Sequence, residues 1–199
     1  MSSVPDAPQA RASSPTKLDL AAEHLNQLSG AARLNALLGC CHAKRWAETV
    51  AGSAPYANGD ALTRRAEEAW ADASEADLLE AFSAHPQIGG DMAALRAKFG
   101  GPAHDAQPAA AGEQSMRWSG AEQAGVAQAP SAVLERLSQL NLEYAAKFGF
   151  IFIVCATGKS AEQMLALLEA RLPNTRPQEL KLAAEEQLKI TRIRLEKLT

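Results

Sequence analysis

An all-α fold, a single-domain orthogonal bundle of about eight helices, is what this sequence predicts, on three observations. Alanine, the residue with the highest helix propensity, fills 42 of the 199 positions. Aromatic residues make up only 5%. Apolar side chains recur at three- and four-residue spacing between cap signatures, the pattern of helices that bury one face. A chain of this length holds one domain, at roughly 100–200 residues per domain.

Residues 1–16 are Ser, Pro and Ala with few large apolar side chains. They cannot bury enough surface to offset chain entropy and read as a disordered tail, with the helical domain spanning 17–199. From Thr16 the pattern turns helical: Leu18, Ala21, Ala22, Leu25 and Leu28 share one face, with Gly30 as a stop. A second segment carries Leu34, Leu37, Leu38 and Cys41, and Asp60 is placed to cap a helix to about Ala73. Ser74-Glu75-Ala76-Asp77 reads as a capping box for a helix to Ala84, closed by Pro86 and Gly89-Gly90. A short helix over 91–99 precedes a loop over 100–116, long enough to suggest a lid or a disordered insertion. Ser119-Gly120-Ala121-Glu122 reads as another capping box, and Ser131 as the cap of a long helix that Gly149 closes in the left-handed conformation. Residues 150–154 form an apolar run that is either extended or a buried helical turn. Ser160 and Thr175 open the last two helices, the second about twenty residues long.

The formal net charge of −3 and a pI near 5.8 supply no basic face for nucleic acid. Mean hydropathy is −0.19, and no apolar run approaches the ~18–20 residues of a membrane span. Cys40, Cys41 and Cys155 are too few and too oddly spaced for a disulfide framework or a closed zinc site, so they read as buried thiols in a reducing compartment. With no export or organelle signal, the expected location is the cytoplasm. Gly158-Lys159-Ser160 imitates the end of a phosphate-binding loop, but Ile153 stands where that loop needs glycine. Nucleotide binding is therefore not expected.

Four segments break ordinary helix grammar. In His85-Pro86-Gln87-Ile88-Gly89 the proline disfavours helical geometry at His85, leaving an imidazole either capping the helix in solvent or presented to a cleft for proton transfer. In the Ser119–Glu122 box the carboxylate either completes a cap or orients a bound group. In the stretch from Tyr144 to Ile153 the rings either fill the core, the better reading for Phe148 and Phe150, or back a pocket wall. In Lys189-Ile190-Thr191-Arg192-Ile193-Arg194-Leu195 at most one arginine faces inward, where its fork of donors suits a carboxylate or a planar urea.

Taken in order, His85-Pro86-x-Ile88-Gly89, Ser119-x-x-Glu122-Gln123-x-Gly125, Tyr144-x-x-Lys147-Phe148-Gly149-Phe150-x-Phe152-Ile153 and Lys189-Ile190-x-x-x-Arg194-Leu195 resemble the 2-oxo-4-hydroxy-4-carboxy-5-ureidoimidazoline (OHCU) decarboxylases. The resemblance covers about residues 18–198. It implies a cofactor-independent carboxy-lyase, without metal, that completes the conversion of urate to (S)-allantoin. His85 would be the proton donor and Glu122 its catalytic companion. Pro86, Ser119, Gln123, the backbone of Phe152, Ile153, Val154, Cys155 and Ala156, and Arg194 (with Arg192 as fallback) would bind substrate, and the protein would be a homodimer. The chain departs from the family in several places: Cys41-His42 stands where an aromatic-Glu pair is usual, the proline before Trp46 is lost to Arg45, Ile151 stands where a proline is often found, and the loop over 100–116 is long and Ala-rich. The alternatives are a non-catalytic interaction module on the same scaffold, or a decarboxylase or lyase for a different ureido acid.

Overall fold

The computed structural model describes residues 14–88, 111–122 and 130–198. Nine α-helices are found among them: α1 (Lys17–Gln27), α2 (Gly30–Cys40), α3 (Lys44–Ala51), α4 (Gly59–Ala71), α5 (Glu75–Ser83), α6 (Ala111–Glu122), α7 (Ser131–Phe148), α8 (Ala161–Arg171) and α9 (Arg176–Leu195). None of the described residues is in a strand, and none of the described helices is long and apolar enough to cross a membrane. The tail over 1–13, the helix expected over 91–99 and residues 100–110 lie outside the described residues.

Most helix starts are chemical. Thr16, Ser74 and Ser160 accept from the backbone N–H three residues on, while the side chains of Asp19, Asp77 and Gln163 reach back to the cap, satisfying amides that have no partner inside the helix. Gln178 does the same for Thr175 at α9. Several boundaries differ by a residue or two from the sequence reading. Asn58 rather than Asp60 caps α4; Pro130 rather than Ser131 precedes α7; and Gly30 opens α2 after the Ser29 cap instead of ending α1. The starts of α3 and α7 carry no side-chain cap bond, and for α3 this explains why no signature marks it. Gly59 is where α4 meets α1: a Cβ there would sit 2.6 Å from the carbonyl carbon of Leu18, a distance only glycine permits.

The centre of the bundle is α9, which packs against α2, α4, α5 and α7. Trp70 of α4 donates its indole N–H to the carbonyl of Ala184 at 3.0 Å, and Trp46 of α3 does the same to Ala66 of α4 at 2.9 Å, so each buried ring satisfies its polar edge. The inward residues of α9 include Ala183, Ile190 and Leu195, but also Glu179, Gln187, Thr191 and Arg194, all fully or almost fully buried. A helix with so many buried polar groups needs a partner for each.

Around the first turns of α9 that need is met by a closed network. Glu179 accepts from the Tyr144 hydroxyl at 2.5 Å, from Arg171 Nε at 2.5 Å and from Asn174 Nδ2 at 2.8 Å, while Arg171 also donates to the carbonyl of Ile153 at 2.8 Å. Gly149, at φ +78°, turns the chain out of α7 into residues 150–156. These are neither helical nor paired in a sheet, but irregular and largely buried. Phe148, Phe150 and Phe152 pack around Tyr144 with ring centroids 4.6, 5.9 and 5.3 Å away, so Phe148 and Phe150 do fill the core.

Candidate active site

Once α5 has ended at Ser83, the His85 amide closes a last turn onto the carbonyl of Phe82 at 3.1 Å, and Pro86 then forces the chain away. Two side chains pin this turn. Asn141, buried in α7, donates to the Ile88 carbonyl at 2.6 Å. Gln187, buried in α9, meets His85 Nε2 through its Oε1 at 2.8 Å. His85 is thus half-buried and held from behind. Burial first, then the nearby charge of Arg194, pulls its pKa down to about 4; the bond to Gln187 and the charge of Glu122 oppose this without prevailing, and His42 adds to the lowering. At neutral pH the ring is neutral.

Ser119 and Glu122 do not form a cap. Helix α6 begins at Ala111, inside the loop expected to reach Met116, and carries both residues in its last turns. The S-x-x-E spacing that marks a helix start also puts two side chains on one face of a helix interior. Here that face meets Arg194. The guanidinium donates from Nε to Glu122 Oε1 at 3.2 Å and from one terminal nitrogen to Glu122 Oε2 at 3.0 Å and to Ser119 Oγ at 2.8 Å. Lys197 Nζ adds a contact to Glu122 Oε1 at 3.3 Å and lies 5.7 Å from the Trp118 ring centroid. Burial pushes the Glu122 carboxyl up, but the hydrogen bonds and charges of Arg194 and Lys197 outweigh it and hold the pKa below the usual carboxylate value. Glu122 is therefore ionised. Arg194 is 1% exposed whereas Arg192 is exposed, so Arg194 is the arginine that faces inward.

Of the residues expected at the site, His85, Pro86, Ser119, Glu122 and Arg194 gather where the end of α5, α6 and α9 converge, and the charges of Arg194 and Glu122 act on His85 directly. Gln123 lies outside the described residues. Phe152, Ile153, Val154, Cys155 and Ala156 are buried in the irregular segment, and part of their backbone is already committed: Arg171 takes the Ile153 carbonyl, Glu186 accepts the Cys155 amide at 2.7 Å, and Lys159 donates to the Cys155 carbonyl at 2.7 Å. Gln187, Asn141 and Lys197 escape the sequence reading. The one available signal was negative, since the last helix shows no clean apolar face although it is long enough to be central. The three cysteines are buried and unbridged; burial pushes the thiols of Cys40 and Cys41 up, Cys41 to about 11, so these two stay protonated.

Among the described residues, a helical scaffold thus brings an imidazole, an ionised carboxylate and a buried arginine together beside the turn that ends α5. The chain belongs to the OHCU decarboxylase family, whose model matches residues 26–196. It is 33% identical over 159 residues to the uric acid degradation bifunctional protein TTL of Arabidopsis thaliana, covering 80% of this chain and 45% of that one. To the OHCU decarboxylase of Halalkalicoccus jeotgali it is 27% identical over 181 residues, 90% and 92% of the two chains. Among solved structures it resembles an OHCU decarboxylase determined in the presence of (S)-allantoin, with a TM-score of 0.62, 34% identity and 81% and 94% coverage. The plant protein and a bifunctional relative from Bacillus are longer: the match spans 45% and 32% of their lengths.

Proposed function

We propose that this chain decarboxylates OHCU to (S)-allantoin, with Glu122 holding the substrate and His85 handling the proton. The observation that carries the reading is a carboxylate kept ionised beside an imidazole kept neutral, on a scaffold of this family. In OHCU one ring carbon carries both the carboxylate and a hydroxyl. Its neighbour, which bears the ureido arm, is doubly bonded to a ring nitrogen. When the bond to the carboxylate breaks, its electron pair enters that C=N and carbon dioxide leaves, so the substrate supplies its own electron sink. The hydroxyl gives up its proton as its carbon becomes a carbonyl, the ring nitrogen gains one, and the ureido-bearing carbon takes up another from outside the substrate. The face that receives it sets the (S) configuration.

An ionised carboxylate only accepts hydrogen bonds, which suits the hydroxyl and ureido N–H groups. Accepting from the hydroxyl, Glu122 draws density toward the ring as the carboxylate departs. Arg194 and Ser119 set its charge and aim, a narrower role than a direct grip on the ligand, while Pro86 and the backbone of residues 152–156 complete the surroundings. His85 begins neutral. The incoming substrate carboxylate opposes the effect of Arg194 and raises the proton affinity of the ring, so His85 gains its proton in the complex and passes it to carbon. The same reading includes a homodimer in the cytoplasm.

The experiment is His85→Asn, followed by circular dichroism on freshly generated OHCU. Loss of a placed proton donor slows formation of (S)-allantoin by ~10²–10⁴-fold. Decay as fast as with the wild-type protein removes His85 from the chemistry, and a wild-type chain that does not speed decay at all removes the decarboxylase reading.

A further inference from the structure

Gln187 has no part in the chemistry above, yet it is fully buried and its amide is spent on two side chains. Its Oε1 lies 2.8 Å from His85 Nε2, and its Nε2 lies 3.3 Å from Thr191 Oγ1. Thr191, one turn on, is also buried, and its hydroxyl donates to the Gln187 carbonyl at 3.0 Å. That bond decides which way round the amide sits. With its hydrogen turned to the backbone, Thr191 Oγ1 offers only lone pairs to Gln187, so the group facing it is the amide NH₂. The group facing His85 is then the amide oxygen, which only accepts. The His85 nitrogen opposite must carry hydrogen.

We propose that Gln187 is a positioning residue that locks His85 with its hydrogen on Nε2, leaving Nδ1 as the nitrogen that exchanges a proton with the substrate. This rests on the proton-handling role given to His85 above and adds which of its two nitrogens does the work. A neutral imidazole in water samples both tautomers; a single fixed acceptor on one side removes that choice and sets the ring plane. The other groups around the ring do not compete for the assignment. Arg194 from α9, Glu122 from α6 and His42 from the turn before α3 act on it through charge, and the hydrogen bond to Nε2 comes from Gln187.

The test is imidazole nitrogen NMR on the full chain with ¹⁵N-labelled histidine near neutral pH, with the His85 signals assigned by their loss in His85→Asn. The wild-type protein should show His85 protonated at Nε2 and bare at Nδ1; the reverse pattern overturns the proposal without any Gln187 variant. In Gln187→Leu the ring should become a tautomer mixture, with kcat at least tenfold lower and KM within about twofold; an unchanged tautomer overturns it. Gln187→Glu keeps an acceptor at the same place and adds a charge. It should preserve the Nε2–H form and move the His85 titration up, and an unmoved titration shows that the contact is not made. Should His85→Asn keep full activity while the wild-type spectrum shows the Nε2–H form, the proton-transfer reading falls and the tautomer lock stands.

Discussion

In its first turn α9 carries Glu179, gripped by Arg171; in its last turn it carries Arg194, which grips Glu122. Both clusters pair a guanidinium with a carboxylate and add a hydroxyl, Tyr144 in one and Ser119 in the other. They differ in what surrounds them. Glu179 is wholly buried and accepts from three side chains, and Arg171 spends a further donor on the Ile153 carbonyl. Glu122 is in part accessible, touches Lys197 near the surface and bears on a titratable imidazole. The same pair is a rivet where its polar groups are used inside the fold, and, on the proposed function, a reactive element where one side is left to meet a ligand.

The same substitution on both carboxylates separates these roles. Glu179→Gln leaves Arg171 without its counter-charge and turns an amide NH₂ toward donors. It should cost about 3–5 kcal/mol, the range for breaking a buried pair, read as a lower urea midpoint at unchanged slope, with turnover per folded molecule near wild type. Glu122→Gln also removes a counter-charge, from Arg194, but an oxygen still faces the guanidinium and the carboxylate is in part accessible, so it should cost less, on the order of 1–3 kcal/mol, while lowering activity about a hundredfold, which is about 2.7 kcal/mol of barrier. Equal stability losses in the two variants would end the distinction.

Next in size is a pH effect from the reactive end. The His85 pKa falls from 6.5 to about 4 on folding, so the unfolded chain binds more protons between those values and stability rises with pH there. The benefit is complete above about pH 6.5 and lost as pH falls toward 4, on the order of 3 kcal/mol in total. Urea titrations across this window should show the slope in the wild-type protein and a flatter profile in His85→Gln. The smallest change is Lys197→Met. The ammonium is partly solvated and second to Arg194 on Glu122, so stability should move by less than ~0.5 kcal/mol and activity by about twofold.

Most helices were legible because their starts are local chemistry: Ser74 with Asp77, Ser160 with Gln163 and Thr175 with Gln178 announce themselves within four residues. His85 was legible because a proline follows it, and Arg194 because its motif resembles that of a known family. The Ser119–Glu122 spacing misled, since three residues separate two side chains on a helix face whether the helix starts there or is ending. Gln187 and Asn141 were invisible for a different reason. Each is buried only because a partner from a distant part of the chain, 102 and 53 residues away, arrives to satisfy it, and no local pattern encodes such a meeting.

Residues 150–156 follow no regular ladder, so their amides and carbonyls are tethered by the tips of Arg171, Lys159 and Glu186, side chains rooted in the loop before α8 and in α8 and α9. A wall strung up like this takes its shape from anchors standing behind it. On the proposed function, in which this backbone borders the substrate, exchanging one of those outlying side chains would retailor the contour offered to a small molecule without altering a single residue that touches it, which makes the rear of the bundle the place where new ligand preferences would arise.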